Sequence, residues 1–157
     1  AVDAYDGKAL AAAYAGHDAV ISSVHYLASN ADTLIGAAKD AAVPRYLVVG
    51  GAGSLDVAPG VKLVDTPQFP AIYLDEARAG GAFLEKLKAE PTLNWTFLSP
   101  SALISPGERT GKFRLGTDQL LVDAGGNSAI SAEDYAVALV DELEAPKHVR
   151  MRFTVGY

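Results

Sequence analysis

Cysteine is absent from this 157-residue chain. That excludes disulfides, thiol catalysis and thiolate–metal sites. Histidine is scarce. His17, His25 and His148 are the three present, and they are scattered without the spacing a metal site needs, so no metal is expected. Basic charge is in the minority. Thirteen Lys and Arg face 19 Asp and Glu, for a net charge of −6, which argues against nucleic acid or an anionic membrane as a partner. No apolar run is long enough to form a transmembrane helix. The sequence as given opens with no basic segment followed by an apolar one, so a cytoplasmic location is expected.

Several catalytic patterns are missing as well. There is no G-x-S-x-G elbow of the kind that exposes a serine nucleophile. A tyrosine activated by a lysine one helical turn away would need Tyr and Lys four residues apart, so that the ammonium can lower the phenol's pKa. The positions four beyond the internal tyrosines are Ala9, Asp18, Asn30, Gly50, Ala77 and Leu139, so the pair does not occur. Gly51-Ala-Gly-Ser-Leu-Asp56 begins like a dinucleotide fingerprint. It lacks the third glycine and runs into Val57-Ala-Pro-Gly60 instead of a helix. A glycine turn that lets backbone approach a ligand, or a tight strand exit, fits it better.

What is present is one domain's worth of ordinary globular composition, half of it apolar. Residues 1–157 are expected to form a single domain. Lys8 to Ala13 reads as a short helix opened by Asp6 or Gly7 and ended by Gly16. Asp18 to Val24 reads as a strand. A second helix is capped by Ser29, Asn30 or Asp32, carries Leu34, Ile35, Ala38 and Ala42 at helical spacing, and stops at Pro44. Arg45 to Val49 is a strand, followed by a loop from Leu55 to Pro70. A helix from about Ile72 to Ala89 places Tyr73, Ala77, Leu84 and Leu87 on one face. Gly80 and Gly81 inside it cost about 1 kcal/mol each relative to Ala, which points to close backbone packing. Trp95 to Ser99 is a strand. Lys112–Leu115 and Gln119–Val122 are expected to form a hairpin across Gly116-Thr-Asp118. Ser131 to Asp134 caps a last helix with Ala136, Val140 and Leu143 inward. Arg150 to Val155 closes the chain as a strand.

Alternating strands and helices, with strands that are nearly continuous apolar runs, predict an α/β fold. It would be a Rossmann-like doubly wound, mostly parallel sheet covered on both faces. Ligands bind such sheets at the carboxyl ends of the strands. Here Ser22 and Ser23 end the first strand, Gly50 and Gly51 the second, and Ser99, Pro100 and Ser101 the third. Small or polar residues at three neighbouring strand ends leave room for a planar ring and offer hydrogen bonds to an amide or ribose. Tyr73, at the start of the third helix, is the remaining candidate for a catalytic tyrosine, though it equally suits packing on the sheet. Glu108 and Arg109 form a solvated loop pair, or else Arg109 reaches an anionic cofactor or substrate.

The segments HDAVIS, RYLVVGGAGSL, WTFLSP, PGERTGKFRLG and SAISAEDYAVALVDELE together resemble the atypical short-chain dehydrogenases/reductases that bind NAD(P)H. The resemblance covers essentially the whole chain. The NADH-flavin reductases are the nearest group, with NmrA-like proteins and biliverdin IXβ reductase more distant. It implies that family members carry a preceding strand and glycine-rich turn, so at least one βαβ unit of roughly 30 residues would lie ahead of Ala1. The complete protein would supply the strand that pairs with DAVISSV and removes an open edge. It also implies that Asp3 and Ala4 lie by the adenine, and that Ser22, Ser23 and Val24 line the cofactor ribose. Gly50, Gly51 and Ala52 would border the nicotinamide ribose, and Ser99, Pro100 and Ser101 would meet the carboxamide. Tyr73 and Arg109 would face the substrate.

The function so implied is an NAD(P)H-dependent reductase that passes hydride to a flavin, quinone or similar conjugated acceptor. The alternative is a non-catalytic NAD(P)-sensing regulator of the NmrA-like kind. A cofactor-free structural module follows only if the short chain is complete. A small-molecule acceptor is the expected partner, without nucleic acid or membrane, and a homodimer is left open.

Overall fold

A computed structural model describes residues 1–157. Asp6 caps α1 (Gly7–Tyr14) by accepting a hydrogen bond from Ala9 N at 3.0 Å. Next come β1 (Val20–Ser22), a 3₁₀ turn at Tyr26–Ala28 and α2 (Ala31–Asp40), capped by Asn30. β2 (Tyr46–Val49) leads into a small ribbon of β3 (Asp56–Ala58) and β4 (Val61–Lys62), in a stretch expected to be loop. After a 3₁₀ turn at Ala71–Tyr73 come α3 (Leu74–Lys88) and β5 (Trp95–Ser99). The chain ends with β6 (Leu103–Ser105), β7 (Arg114–Gly116), β8 (Ala129–Ser131), α4 (Ala132–Glu144) and β9 (Met151–Gly156).

The main sheet has the order β1-β2-β5-β9-β7. Its first four strands are parallel and β7 is antiparallel to β9. The Rossmann-like α/β expectation therefore holds. The expected hairpin does not form. Arg114–Gly116 pairs with β9 instead, and Gln119 makes only a single bridge to Asp56. The edge of β9 offers a full ladder, whereas a two-stranded hairpin standing alone is marginal in water.

Side-chain alternation splits the core in two. Tyr46, Val48, Trp95 and Phe97 face α1, α2 and α3, packing with Leu34, Phe83, Leu84 and Leu87. Leu47, Leu98, Phe153 and Val155 face α4, packing with Tyr135, Ala138 and Leu139. Of the residues expected on the inward face of α4, Leu143 packs against this core, and the other two are corrected. Ala136 and Val140 are exposed, and the buried set is Asp134, Tyr135, Ala138, Leu139 and Glu142. Two of those five are acidic, which hid the true face from a pattern of apolar spacing. The Glu142 carboxylate is used as a clamp. It accepts from Lys147 N at 3.0 Å, His148 N at 2.8 Å and Arg45 Nη2 at 3.2 Å, and it meets His148 Nδ1 at 2.8 Å. It ties the end of α4 to the starts of β2 and β9.

Gly80 packs as its sequence position implied. A Cβ there would stand 2.9 Å from the Tyr26 ring. Ala42, placed by its spacing on the apolar stripe of α2, lies beyond the helix with φ of 51°. Ala42 N bonds to Lys39 O at 2.9 Å and Val43 N to Ala38 O at 3.0 Å. This is a Schellman ending with alanine where glycine is preferred. Replacing Ala42→Gly relieves the left-handed strain of a side chain and loses a smaller amount of chain entropy. The variant should be more stable by about 0.5–1 kcal/mol in denaturant melts; an unchanged or lower midpoint contradicts this.

Candidate functional site

β1, β2 and β5 are adjacent and parallel, with Ser22 beside Val48, and Val49 beside Leu98. Their carboxyl ends therefore share one edge. Ser23 and Val24 are exposed there, Ser22 is buried, and Gly50, Gly51 and Ala52 are half-buried. A Cβ at Gly51 would meet no atom within 4 Å, so this backbone is open to approach. Asp3 is exposed and Ala4 half-buried, and the Asp3 carboxylate accepts from Tyr5 N at 2.9 Å.

Ser99, Pro100 and Ser101 do not display themselves at that edge. All three are buried. Ser101 Oγ donates to Val155 O at 3.0 Å, and Ser99 Oγ is enclosed without a partner. Pairing of β5 with β9 continues to Ser99 and Thr154, so the end of β5 is flanked on both sides. Its hydroxyls belong to the floor of the edge.

Two tyrosines missed from sequence hold the strand ends in place. Gly50 N donates to Leu98 O at 2.8 Å and to the Tyr135 hydroxyl at 3.3 Å, while that hydroxyl donates to Leu98 O at 2.7 Å. Tyr26 Oη donates to Val49 O at 2.8 Å. Its turn is secured by Glu76, whose carboxylate accepts from Tyr26 N at 2.6 Å and Leu27 N at 3.0 Å. Burial pushes both phenols well above the ordinary tyrosine range, so they remain protonated donors. No local motif marks either residue. The glycine at position 80 was the one sequence signal of a side chain lying across α3.

Pro106 to Gly111, the start of the distinctive PGERTGKFRLG segment, is drawn to the start of α4. Gly107 N donates to Glu133 Oε2 at 2.8 Å, and Ser131 Oγ donates to Glu108 O at 2.8 Å. Asp134 accepts from Thr110 Oγ1 at 2.6 Å, Gly111 N at 2.8 Å and Tyr157 Oη at 2.8 Å. Desolvation works to raise the Asp134 pKa. The donors from Thr110, Gly111 and Tyr157 overcome it and hold the carboxyl below its ordinary value.

Arg109 is exposed and makes no ion pair with Glu108 or any other acid. It lines an open groove of about 350 Å³ along α4 with Glu133, Ala136, Val137, Val140 and Asp141. Tyr73 is 62% exposed and precedes α3, so it does not share the packed face with Leu84 and Leu87. α3 and α4 cover opposite faces of the sheet. Tyr73 stands at the start of the first of these helices and Arg109 lies against the second.

The profile of the NAD(P)H-binding family matches residues 1–146. This chain belongs to that family. The chain is 50% identical over 125 residues to the uncharacterized protein YwnB of Bacillus subtilis strain 168, a match covering 78% of this chain and 59% of YwnB. It therefore spans less than two thirds of that curated relative. A candidate exported protein from Burkholderia pseudomallei has a similar structure, with a TM-score of 0.92 and 47% identity over 99% of this chain and 79% of that one. A candidate NADH-flavin reductase from Streptococcus pneumoniae TIGR4 superposes with a TM-score of 0.79 and 36% identity, covering 90% of this chain and 72% of that one. No helix in this chain is long and apolar enough to cross a membrane.

Two expectations follow for the site's scaffold. A Cβ at Gly50 would lie 2.3 Å from the Phe97 ring and 2.6 Å from Leu98 O. Gly50→Ala should therefore cost on the order of 2 kcal/mol in denaturant melts; an unchanged midpoint contradicts the packing. Asp134 has a lowered pKa in the folded state, so its contribution is present above the ordinary value of 3.8 and is lost as pH falls through the folded value. Asp134→Asn should be less stable than the parent at neutral pH, with the gap shrinking as pH drops below about 4. A gap independent of pH contradicts that role.

Proposed function

We propose that this protein is an NAD(P)H-dependent reductase that passes hydride to a flavin, quinone or similar conjugated acceptor. Family membership and the likeness to the Streptococcus pneumoniae structure support the reading. The observation that carries it is the uncovered backbone at Gly51, beside exposed Ser23 and Val24 at one sheet edge.

These residues suit a nicotinamide ribose. Small side chains admit the ring, and backbone N–H and C=O groups together with the Ser23 hydroxyl supply hydrogen bonds. Asp3 and Ala4 would stand toward the adenine, and Gly50 to Ala52 toward the reactive end. Ser99, Pro100 and Ser101 would support the carboxamide end from beneath. When bound, a reduced nicotinamide supplies the hydride. The chain's own part is then to orient the donor and acceptor and to exclude water. Tyr73 offers an exposed ring on which a planar acceptor can rest. A conjugated acceptor takes its proton from water, so no Tyr/Lys pair is required. Arg109, in the groove along α4, is assigned no contact with the reacting groups in this reading.

The test follows loss of reduced-nicotinamide absorbance with FMN, riboflavin or a quinone as acceptor, alongside cofactor binding by fluorescence. Turnover with one of these is expected. Gly51→Val, which fills the open approach, should weaken cofactor binding about tenfold with little change in melting temperature. Unchanged binding in that variant contradicts the placement. Tight binding without turnover on any acceptor favours the NAD(P)-sensing regulator.

A further inference from the structure

Arg152 is a cation near the start of the last strand, beside Phe97 of β5, and its side chain is only 2% exposed. Its acidic partner, Asp118, is 59% exposed. Placing a guanidinium under cover beside a half-solvated carboxylate is a poor way to gain stability, because desolvation falls almost wholly on the cation. The rest of its contacts explain the position. Nη1 donates to Ser54 O at 3.0 Å and to Ser54 Oγ at 3.1 Å. Nε donates to Asp118 Oδ1 at 2.9 Å, and Nη2 donates to the same oxygen.

Arg152 thus spends its fork on two loops. One is the turn that leaves β2, Gly50 to Ser54. The other, around Asp118, is joined to that turn's continuation: Asp56 N donates to Asp118 O at 2.8 Å, and Leu120 N to Asp56 O at 2.9 Å. The turn's beginning is fixed by Gly50 N on Leu98 O and Tyr135 Oη. Its far end is fixed by Arg152 on Ser54, and by Val64 N donating to Gly53 O at 2.9 Å. Gly51 and Ala52 lie between these anchors, with open space above Gly51.

We propose that Arg152 is a positioning residue. By gripping Ser54, it sets where Gly51 and Ala52 stand over the strand ends, and so how a bound nicotinamide meets its acceptor. This deepens the reductase reading and depends on it for the catalytic consequence. The mechanical claim, that the turn is held by the guanidinium fork, stands apart from it. Lysine keeps the charge but is a point donor that cannot span both Ser54 and Asp118.

The experiment compares the parent protein with Arg152→Lys and Asp118→Asn. Amide hydrogen exchange is measured without cofactor, and steady-state turnover and cofactor affinity are measured with it. In Arg152→Lys, the two amides bonded to this turn, Leu55 N on Ala52 O and Val64 N on Gly53 O, should exchange about tenfold faster while those of β5 stay within roughly twofold. Turnover should fall about tenfold or more, because a misplaced reacting geometry costs rate, while cofactor Kd shifts less than roughly threefold. Asp118→Asn, at an exposed position, should show the same pattern more weakly, and it decides the matter if Arg152→Lys does not fold. Exchange that is unchanged, or faster across the whole sheet, overturns the proposal. So does a loosened turn with undiminished turnover. If the parent itself turns over no acceptor, the reductase reading fails, and the exchange pattern alone decides whether Arg152 holds the turn.

Discussion

Three strands must end together before one ligand can meet all of them. Parallel pairing of β1, β2 and β5 imposes that condition here. Each strand runs from the same side of the sheet, and each crossover returns the chain through a helix to start the next. Small residues at the strand ends keep the shared edge clear. If β2 ran the other way, Gly50 to Ala52 would open on the opposite side from Ser23, and no common site would exist.

Buried polar groups maintain that edge. Tyr135 reaches from α4 and Tyr26 from beside α3, one on each face, and both end on backbone atoms at the ends of β2 and β5. Their phenols stay neutral, so each is a fixed hydrogen-bond donor over the whole physiological pH range. At the opposite edge Glu142 collects Arg45, Lys147 and His148 and holds the amino ends of β2 and β9. The sheet is therefore tied at both ends by side chains that would be costly to bury unpaired. An unpaired hydroxyl persists at Ser99, beneath the proposed carboxamide position.

Much of this was legible in the amino-acid order. The runs RYLVV and WTFLS announced strands buried on both faces, whereas DAVISSV forms only the strand Val20–Ser22 with Ile21 exposed; of the helix starts expected at Asp6 or Gly7, at Ser29, Asn30 or Asp32, and at Ser131, the caps are Asp6, Asn30 and Ser131. Their side chains do accept from Ala9 N, Thr33 N and Asp134 N. What could not be read was long-range. Arg114 to Gly116 had two competing partners of similar local merit, and only the presence of β9 decides between them. The inward face of α4 was misjudged because Asp134 and Glu142 are buried for their hydrogen bonds, which an apolar count ignores. Tyr26 and Tyr135 look like ordinary core aromatics until the backbone carbonyls they bind are placed. Ser99 and Ser101 were recognisable as strand-end residues, but their enclosure depends on the neighbouring strand.

The most direct test of the shared-edge site is a map of backbone amide shifts on titration with NADPH and with NADH. Perturbation confined to Asp3–Ala4, Ser22–Val24, Gly50–Ala52 and the segment after Ser99, with α4 outward residues such as Val140 silent, is the predicted result. Shifts centred on Arg109 and the α4 groove, or none at these strand ends at saturating cofactor, would contradict it.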